Sequence, residues 1–260
     1  MQLWASTYEC MMEHAARRKA VSAMPMMSVP GLVITRSDTL SSLTDGVAII
    51  DVFGDLADRM EWWQDGCQYS SIIDRLYAVA GASPLAIVLH INSRGGTVSG
   101  SIECHAAIVA FREAFPDIPV VAHIDGIGAS AACLIASACE YVTASPTALV
   151  GSLGVIAERL DLSAAQEKDG IAVHVMTVGS AKADGNPSVP MSSEEAMRFK
   201  ERLDQAAEML YSAVESSRPA LAGKVRGLQA QLVMAAQALE WQLIDEVSTL
   251  DDVVMGLLTA

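Results

Sequence analysis

Residues 85–96 read Leu-Ala-Ile-Val-Leu-His-Ile-Asn-Ser-Arg-Gly-Gly. The first seven form an apolar run of the kind a strand buried on both faces needs, and the run ends in a polar Gly-Gly segment. Working outward, Val47–Val52 (VAIIDV) is a second such run, and Pro119–Ile124 a third. Between them, Cys67–Ala80 carries helical spacing at Ile72, Ile73, Leu76 and Val79, and Val98–Phe115 reads as a helix. Ser130–Cys139 is a short helix of small residues, and Tyr141–Thr143 and Leu149–Ile156 are short extended pieces. A helix near Leu162–Lys168 and a strand at Ala172–Thr177 follow. Ser192-Ser193-Glu194-Glu195 opens a helix running to about Ser217, with acids at its positive end, and Leu228–Ala238 and Leu250–Leu258 read as two more. Strands alternating with helices predict an α/β fold with a mainly parallel central sheet covered on both faces. Residues 1–44 stand apart as a Met-rich N-terminal arm, with a helix over Tyr8–Ala20 and a Pro-broken linker, and residues 45–260 form the domain proper.

The 260 residues are 52% hydrophobic and 18% charged, which describes a packed globular protein. Seventeen basic against 31 acidic residues leave a formal charge of −14, a surface that repels phosphate backbones and argues against nucleic acid as a partner. The longest stretch without a charge, Tyr141 to Ala157, is interrupted by Pro146, Gly151 and Gly154, so no membrane span is expected. Five cysteines without a CxxC pair suit a reducing compartment and neither a disulfide framework nor a metal site. Arg17, Arg18 and Lys19 precede an uncharged stretch, but Pro25 and Pro30 break it and Glu9 and Glu13 lie ahead of it, so a cytoplasmic chain is expected over a secreted one.

Three polar segments interrupt the apolar elements, at the carboxyl ends of strands where parallel sheets bind ligands. Asn92–Thr97 places Gly95 and Gly96 in a turn whose backbone N–H groups can face a ligand, as an oxyanion site, a phosphate cradle or a plain tight turn. Gly126–Ala132 (GIGASAA) presents Ser130 at a strand-to-helix junction, where it serves either as an accessible nucleophile or as a helix cap. Gly179–Pro187 (GSAKADGNP) carries Lys182 in a loop. A loop lysine ordinarily points into solvent, and a free lysine amine is neutral in only about 1 molecule in 2,000 at pH 7. Use as a base requires desolvation that lowers its pKa by about three, at a cost of about 4 kcal/mol.

In order and spacing these segments, from about Gly46 to Val254, resemble peptidase family S49: the signal peptide peptidase A type and, more closely, the phage head maturation proteases. Ile91–Gly96 is similar to the family's N-S-P-G-G turn with Arg94 in place of proline, and Ala129–Ala132 to its A-S-G-G nucleophile segment. Ala148–Ile156 (ALVGSLGVI) resembles G-S-[IL]-G-V, Gly179–Pro187 the lysine loop of the phage branch, and Ala238–Glu246 the A-L-x-x-G-L-I-D-E segment with Gln242 in place of glycine. The resemblance implies a ClpP/crotonase-like fold and a serine endopeptidase with a Ser–Lys dyad. Ser130 would be the nucleophile, Lys182 the general base, Ser152 the residue orienting the lysine, and Gly95 or Gly96 with Ala131 the oxyanion donors. It further implies no metal or cofactor and a homo-oligomeric ring. The implied substrates are phage capsid assembly proteins, portal or scaffold, processed in the host cytoplasm or prohead.

Three other readings stand beside this one: a signal-peptide-degrading peptidase of the same family, a non-catalytic assembly protein, and a crotonase-like acyl-CoA enzyme. A Ser-His-Asp triad is the natural competitor within the site, but His123 and His174 fall within predicted strands and read as core or edge residues, with His90 and His105 equally bland. Cys133 reads as packing, and Glu103 and Asp125 as charges near the loops. Because the chain ends shortly after the last matching segment, any scaffold is expected to be separate.

Overall fold

The computed structural model describes residues 41–44, 46–60 and 65–259, so the expected helix at Tyr8–Ala20 and Cys10 lie outside the described residues. The described residues divide into two compact units, one of those from 41 to 154 and from 210 to 259, the other of residues 155–209.

The first unit is built on a nine-stranded sheet. In chain order it contains β1 (Ser41–Thr44), β2 (Val47–Ala57), β3 (Gly66–Gln68), α1 (Tyr69–Ala80), β4 (Ala86–Gly96), α2 (Ser101–Ala114), β5 (Val120–Ala129), α3 (Ala131–Ser137), β6 (Tyr141–Ala144) and β7 (Leu149–Gly151). The strand order is β1-β2-β4-β5-β6 and then β9 (Glu246–Val247), with β3 added to β2. All pairs along it are parallel except β1–β2, so the predicted α/β architecture is the observed one. β1 lies within the stretch assigned to the arm and pairs with β2 from Ser41↔Ile50 to Thr44↔Val47, so the sheet begins before residue 45.

The second unit, residues 155–209, holds α4 (Ser163–Lys168) and most of α5 (Ser193–Ser217). The chain then completes the first unit with two 3-10 turns, β8 (Leu232–Met234), α6 (Ala235–Glu240), β9 (Glu246–Val247) and α7 (Leu250–Thr259).

Burial explains why these segments fold as they do. Ile50, Leu56, Ile87, Leu89, Ile91 and Ile124 of the central strands are closed to solvent, as two-sided cover of a parallel sheet requires. α1 turns Ile72, Ile73, Leu76 and Ala80 inward, and α2 turns Cys104, His105, Ile108 and Phe111 inward, spacings that follow the helical repeat. Every residue of α3 is buried, which its run of Ala, Cys, Leu, Ile and Ser permits. At the far end of the sheet, Arg218 forms a bidentate pair with Asp245 at 2.6 and 2.8 Å, and Asp245 also accepts the Val142 N–H at 2.8 Å, which ties the C-terminal segment to β6.

Four expectations are corrected. Ala172–Thr177 is not a strand: every residue from 171 to 178 is exposed and carries no ladder, because β-branched composition alone cannot form a strand without a neighbour to pair with. Leu228–Ala238 is not one helix; Leu232–Met234 pairs antiparallel with β7, burying Val233 and exposing its two neighbours, and a helix begins only at Ala235. The extended piece from Leu149 stops at Gly151, where φ is +124°. Gly95 and Gly96 do not form a turn after β4 but are its last two residues, paired with Asp55 and Leu56 of β2.

Candidate active site

β5 splits its partners, and that split builds the site. Its first half, Val121–Ile124, pairs with β6, and its end, Ile127–Ala129, pairs with β7. The register ends at Ala129↔Gly151, and Ser130 and Ser152 are the residues that follow on the two strands. The Ser130 N–H donates to the Gly151 carbonyl at 2.8 Å, and the Ser152 N–H to the Gln231 carbonyl at 2.8 Å.

Ser130 precedes α3, yet it does not act as a cap. Its φ is 55° and ψ −121°, and its side chain makes no capping hydrogen bond. A non-glycine residue in that region is strained and persists only where its surroundings hold it. Here they do: the backbone is pinned on one side by Gly151 and on the other by the Leu134 N–H, which donates to the Ser130 carbonyl at 2.9 Å. The hydroxyl is thus left free of the helix end, and Ser130 is half-buried between Ala129 and Ala131, both buried. Ser152 shares the left-handed backbone, with φ 53°.

Of the two β4 glycines, Gly95 stands against this corner and Gly96 against β2. A Cβ on Gly95 would lie 2.7 Å from the Ser130 Cβ and 3.0 Å from the Ala131 nitrogen, so only glycine fits there, and its φ of +100° independently favours glycine. A Cβ on Gly96 would lie 1.6 Å from the Leu56 carbonyl oxygen. The Gly95 N–H donates to Ser93 Oγ at 3.1 Å, and the Thr97 N–H to the Leu56 carbonyl at 2.9 Å. Ser93 is buried, and sequence reading passed over its role although it sits inside the quoted Asn-Ser-Arg-Gly-Gly. Alongside runs a cavity of about 490 Å³ lined by Asp55, Leu56, Met60, Asp65, Arg94 and Gly96 among others, so Arg94 faces a space bordered by two carboxylates.

Cys133 and the histidines fall where packing puts them. Burial pushes the Cys133 thiol up to about 12, far from thiolate chemistry at neutral pH. His123 is fully buried, with Nδ1 2.8 Å from Thr143 Oγ1 and Nε2 3.3 Å from Ser145 Oγ; burial holds its pKa down to about 4. Ser145 also donates to Asp125 at 3.0 Å, and His90 Nδ1 lies 3.0 Å from Asp51, a polar cluster that composition did not reveal. His105 is likewise buried, 3.1 Å from Ser217 Oγ and held down to about 4 by burial. Glu103 stands in the first turn of α2. His174 is exposed in the second unit and belongs to no strand.

Lys182 lies in the second unit and is exposed. Its loop is a chain of tight turns: the Lys182 N–H donates to the Gly179 carbonyl at 3.1 Å, Asp184 to Ala181 at 3.2 Å and Asn186 to Ala183 at 3.0 Å. Glu195 Oε1 accepts the Gly185 N–H at 2.7 Å, and Arg198 grips Asp184 through two 2.7 Å bonds that hold its carboxyl below the usual range. Among the described residues, no helix is long and apolar enough to cross a membrane.

Comparison with known proteins agrees with this architecture. A model of peptidase family S49 matches residues 114–259, more than half of the chain, a stretch that includes Ser130, Ser152 and Lys182. Gly95 and Gly96 precede it. The head-tail preconnector protein GP5 of Enterobacteria phage P21 is 27% identical over 222 residues, which cover 84% of this chain and 44% of that protein. The capsid assembly protease C of Escherichia phage lambda is 28% identical over 215 residues, 81% of this chain and 48% of that protein. A protein named "Probable protease SohB" from Haemophilus influenzae is 26% identical over 170 residues, 65% of this chain and 47% of its own. The chain thus spans about half the length of the curated relatives it matches.

Proposed function

The chain belongs to peptidase family S49, whose fold is ClpP-like, and on that premise we propose that it is a serine endopeptidase working through a Ser–Lys dyad. The observation that carries this reading is the backbone of Ser130: a strained φ of 55°, no capping bond to the helix it precedes, and Gly95 in contact with it. A serine held at such cost without capping its helix is better explained by chemistry than by structure.

In this mechanism Ser130 Oγ attacks the scissile carbonyl while the neutral Lys182 amine takes its proton. Ser152, which follows the β7 residue paired with Ala129, orients the amine. The negative charge that develops on the carbonyl oxygen is met by the N–H of Ala131, at a helix start where such groups lack partners within the helix, and by that of Gly96. Gly95, whose N–H is engaged by Ser93, contributes chiefly by the absence of a side chain. Collapse of the tetrahedral intermediate expels the amine, which takes the proton from Lys182. Water then attacks the acyl-Ser130 ester, with Lys182 again as base, and frees the carboxylate product. No metal or cofactor takes part.

The likeness to a capsid assembly protease and a head-tail preconnector protein supports a role in processing phage capsid assembly proteins; portal or scaffold as substrate, a homo-oligomeric ring and the host cytoplasm or prohead rest on the family resemblance alone. The likeness to a SohB-named protein supports a second reading, a bacterial peptidase of the same family. The test is acylation by a serine-reactive fluorophosphonate, with the adduct located by mass spectrometry. An adduct at Ser130 that is lost in Lys182→Ala supports the dyad; an adduct elsewhere, or full labelling of Lys182→Ala, overturns it. Cleavage of co-expressed portal or scaffold protein separates the two biological readings.

A further inference from the structure

We propose that Glu195 and Arg198, in the opening turns of α5, are positioning residues that hold the Lys182 loop in its working shape, an inference that rests on Lys182 being the base. Three successive residues just beyond Lys182 are each held by a charged side chain. Arg198 binds the Asp184 carboxylate through Nε and Nη2, both at 2.7 Å. Glu195 Oε1 receives the Gly185 N–H at 2.7 Å. Arg159 Nη2 donates to the Asn186 carbonyl at 2.8 Å and also to that of Val189. Arg159 Nε lies 3.0 Å from Glu195 Oε1, an ion pair whose N–H does not point along the contact, and both side chains are 5% exposed.

Glu195 and Arg198 are three residues apart, so they share one helical face. That face is itself fixed, since Ser192 Oγ accepts the Glu195 N–H at 3.1 Å. Lys182 stands two residues from the clamped Asp184, and a chain advances at most about 3.6 Å per residue, so the clamp limits where the Lys182 Cα can travel. A loop of Gly, Ala, Asn and Pro has no apolar anchors of its own, and an amine that must meet a hydroxyl tolerates little displacement: about 1 Å costs about 100-fold in rate.

The test is the pH dependence of fluorophosphonate labelling of the full chain, read as the limiting rate and the half-saturating probe concentration. Arg198→Ala is expected to lower the limiting rate 10- to 100-fold with little change in half-saturation. It should also change the shape of the pH profile, which a merely structural loss of active protein would leave unaltered. Glu195→Gln, which keeps the shape but weakens the acceptor, should act in the same direction to a smaller extent and covers the case in which Arg198→Ala does not fold. Exchanging the pair, Asp184→Arg with Arg198→Asp, should restore part of the rate.

An unchanged rate and profile in both single variants overturns the inference. So does a loss that is uniform across pH and is not relieved by the exchange, as a merely structural role would give. Lys182→Ala labelling at the parent rate instead overturns the dyad itself, whereas an inert Lys182→Ala beside an unaffected Arg198→Ala removes only the positioning role.

Discussion

The two units of this chain are held together by opposite means. The first closes Ile, Leu, Val and Phe from the central strands, α1 and α2 away from water, with α3 wholly buried. In the second, among all its described residues, only Glu195 is buried, and it is a carboxylate facing an arginine. One unit is thus ordered by removal of apolar surface, the other by hydrogen bonds and ion pairs. The proposed nucleophile sits in the first and the proposed base in the second, so the rigid partner is fixed by packing and the other by charge.

The largest expected effect follows from that division of labour. Ser130→Ala and Lys182→Ala, one in each unit, should each lower peptide cleavage by about 1,000-fold or more while leaving the circular dichroism spectrum unchanged. Equal loss from both would join the units in one reaction, and retention in either would separate them. Next, Phe111→Ala should destabilise the first unit by about 3–5 kcal/mol in chemical denaturation. The ring is fully buried, stacked on Phe115 at 4.7 Å and edge-on to Tyr77 at 5.2 Å. Amide protection of residues 179–189 should not follow it; coupled loss would break the contrast.

Acid sharpens the contrast further. His105 and His123 are held down to about 4 by burial, so the unfolded chain takes up protons first, from pH 6.5 downward. The stability they lend is present above pH 6.5 and lost progressively as pH falls to 4, on the order of 3 kcal/mol for each. The Asp184 carboxyl is held low instead, chiefly by its hydrogen bonds with Arg198. Its stabilisation is present above the ordinary carboxylate range and disappears only as pH falls below about 4. Hydrogen exchange between pH 7 and 4.5, corrected for its intrinsic rate, should therefore show the first unit weakening while the 181–189 turns keep their protection. The reverse order would contradict the assignment of these groups.

The smallest effect concerns a departure from the family pattern. Gln242 replaces a glycine and has φ 64°, so Gln242→Gly should raise stability by up to about 1 kcal/mol, read as a shift in denaturation midpoint. The Arg218 contact to the residue 242 carbonyl is retained, since it uses backbone only.

Where apolar repeat and burial coincide, the sequence was readable: Leu85–Ile91, Val47–Val52 and the spacing of Ile72, Ile73 and Leu76 all became the elements expected. Apolar content alone misled at 172–177, because a strand exists only through a partner. At Leu232–Met234, a helical reading hid the period-two burial imposed by β7. At the site, residue types could nominate Ser130 but not show that it leaves its helix uncapped, since that depends on a backbone angle held by the bond to Gly151 of β7. Arg159 and Arg198 drew no notice, and Glu195 only as an acid at a helix start, because charged side chains ordinarily face water and their spacing carries no sign of the loop they hold.

The left-handed backbone at Ser130 also bears on how this chain could decay. Glycine would adopt that conformation without strain, so a copy released from its task would gain stability by replacing the serine. On the proposed mechanism, drift toward inactivity would then run thermodynamically downhill, and keeping the hydroxyl would require continuing selection against the more stable molecule.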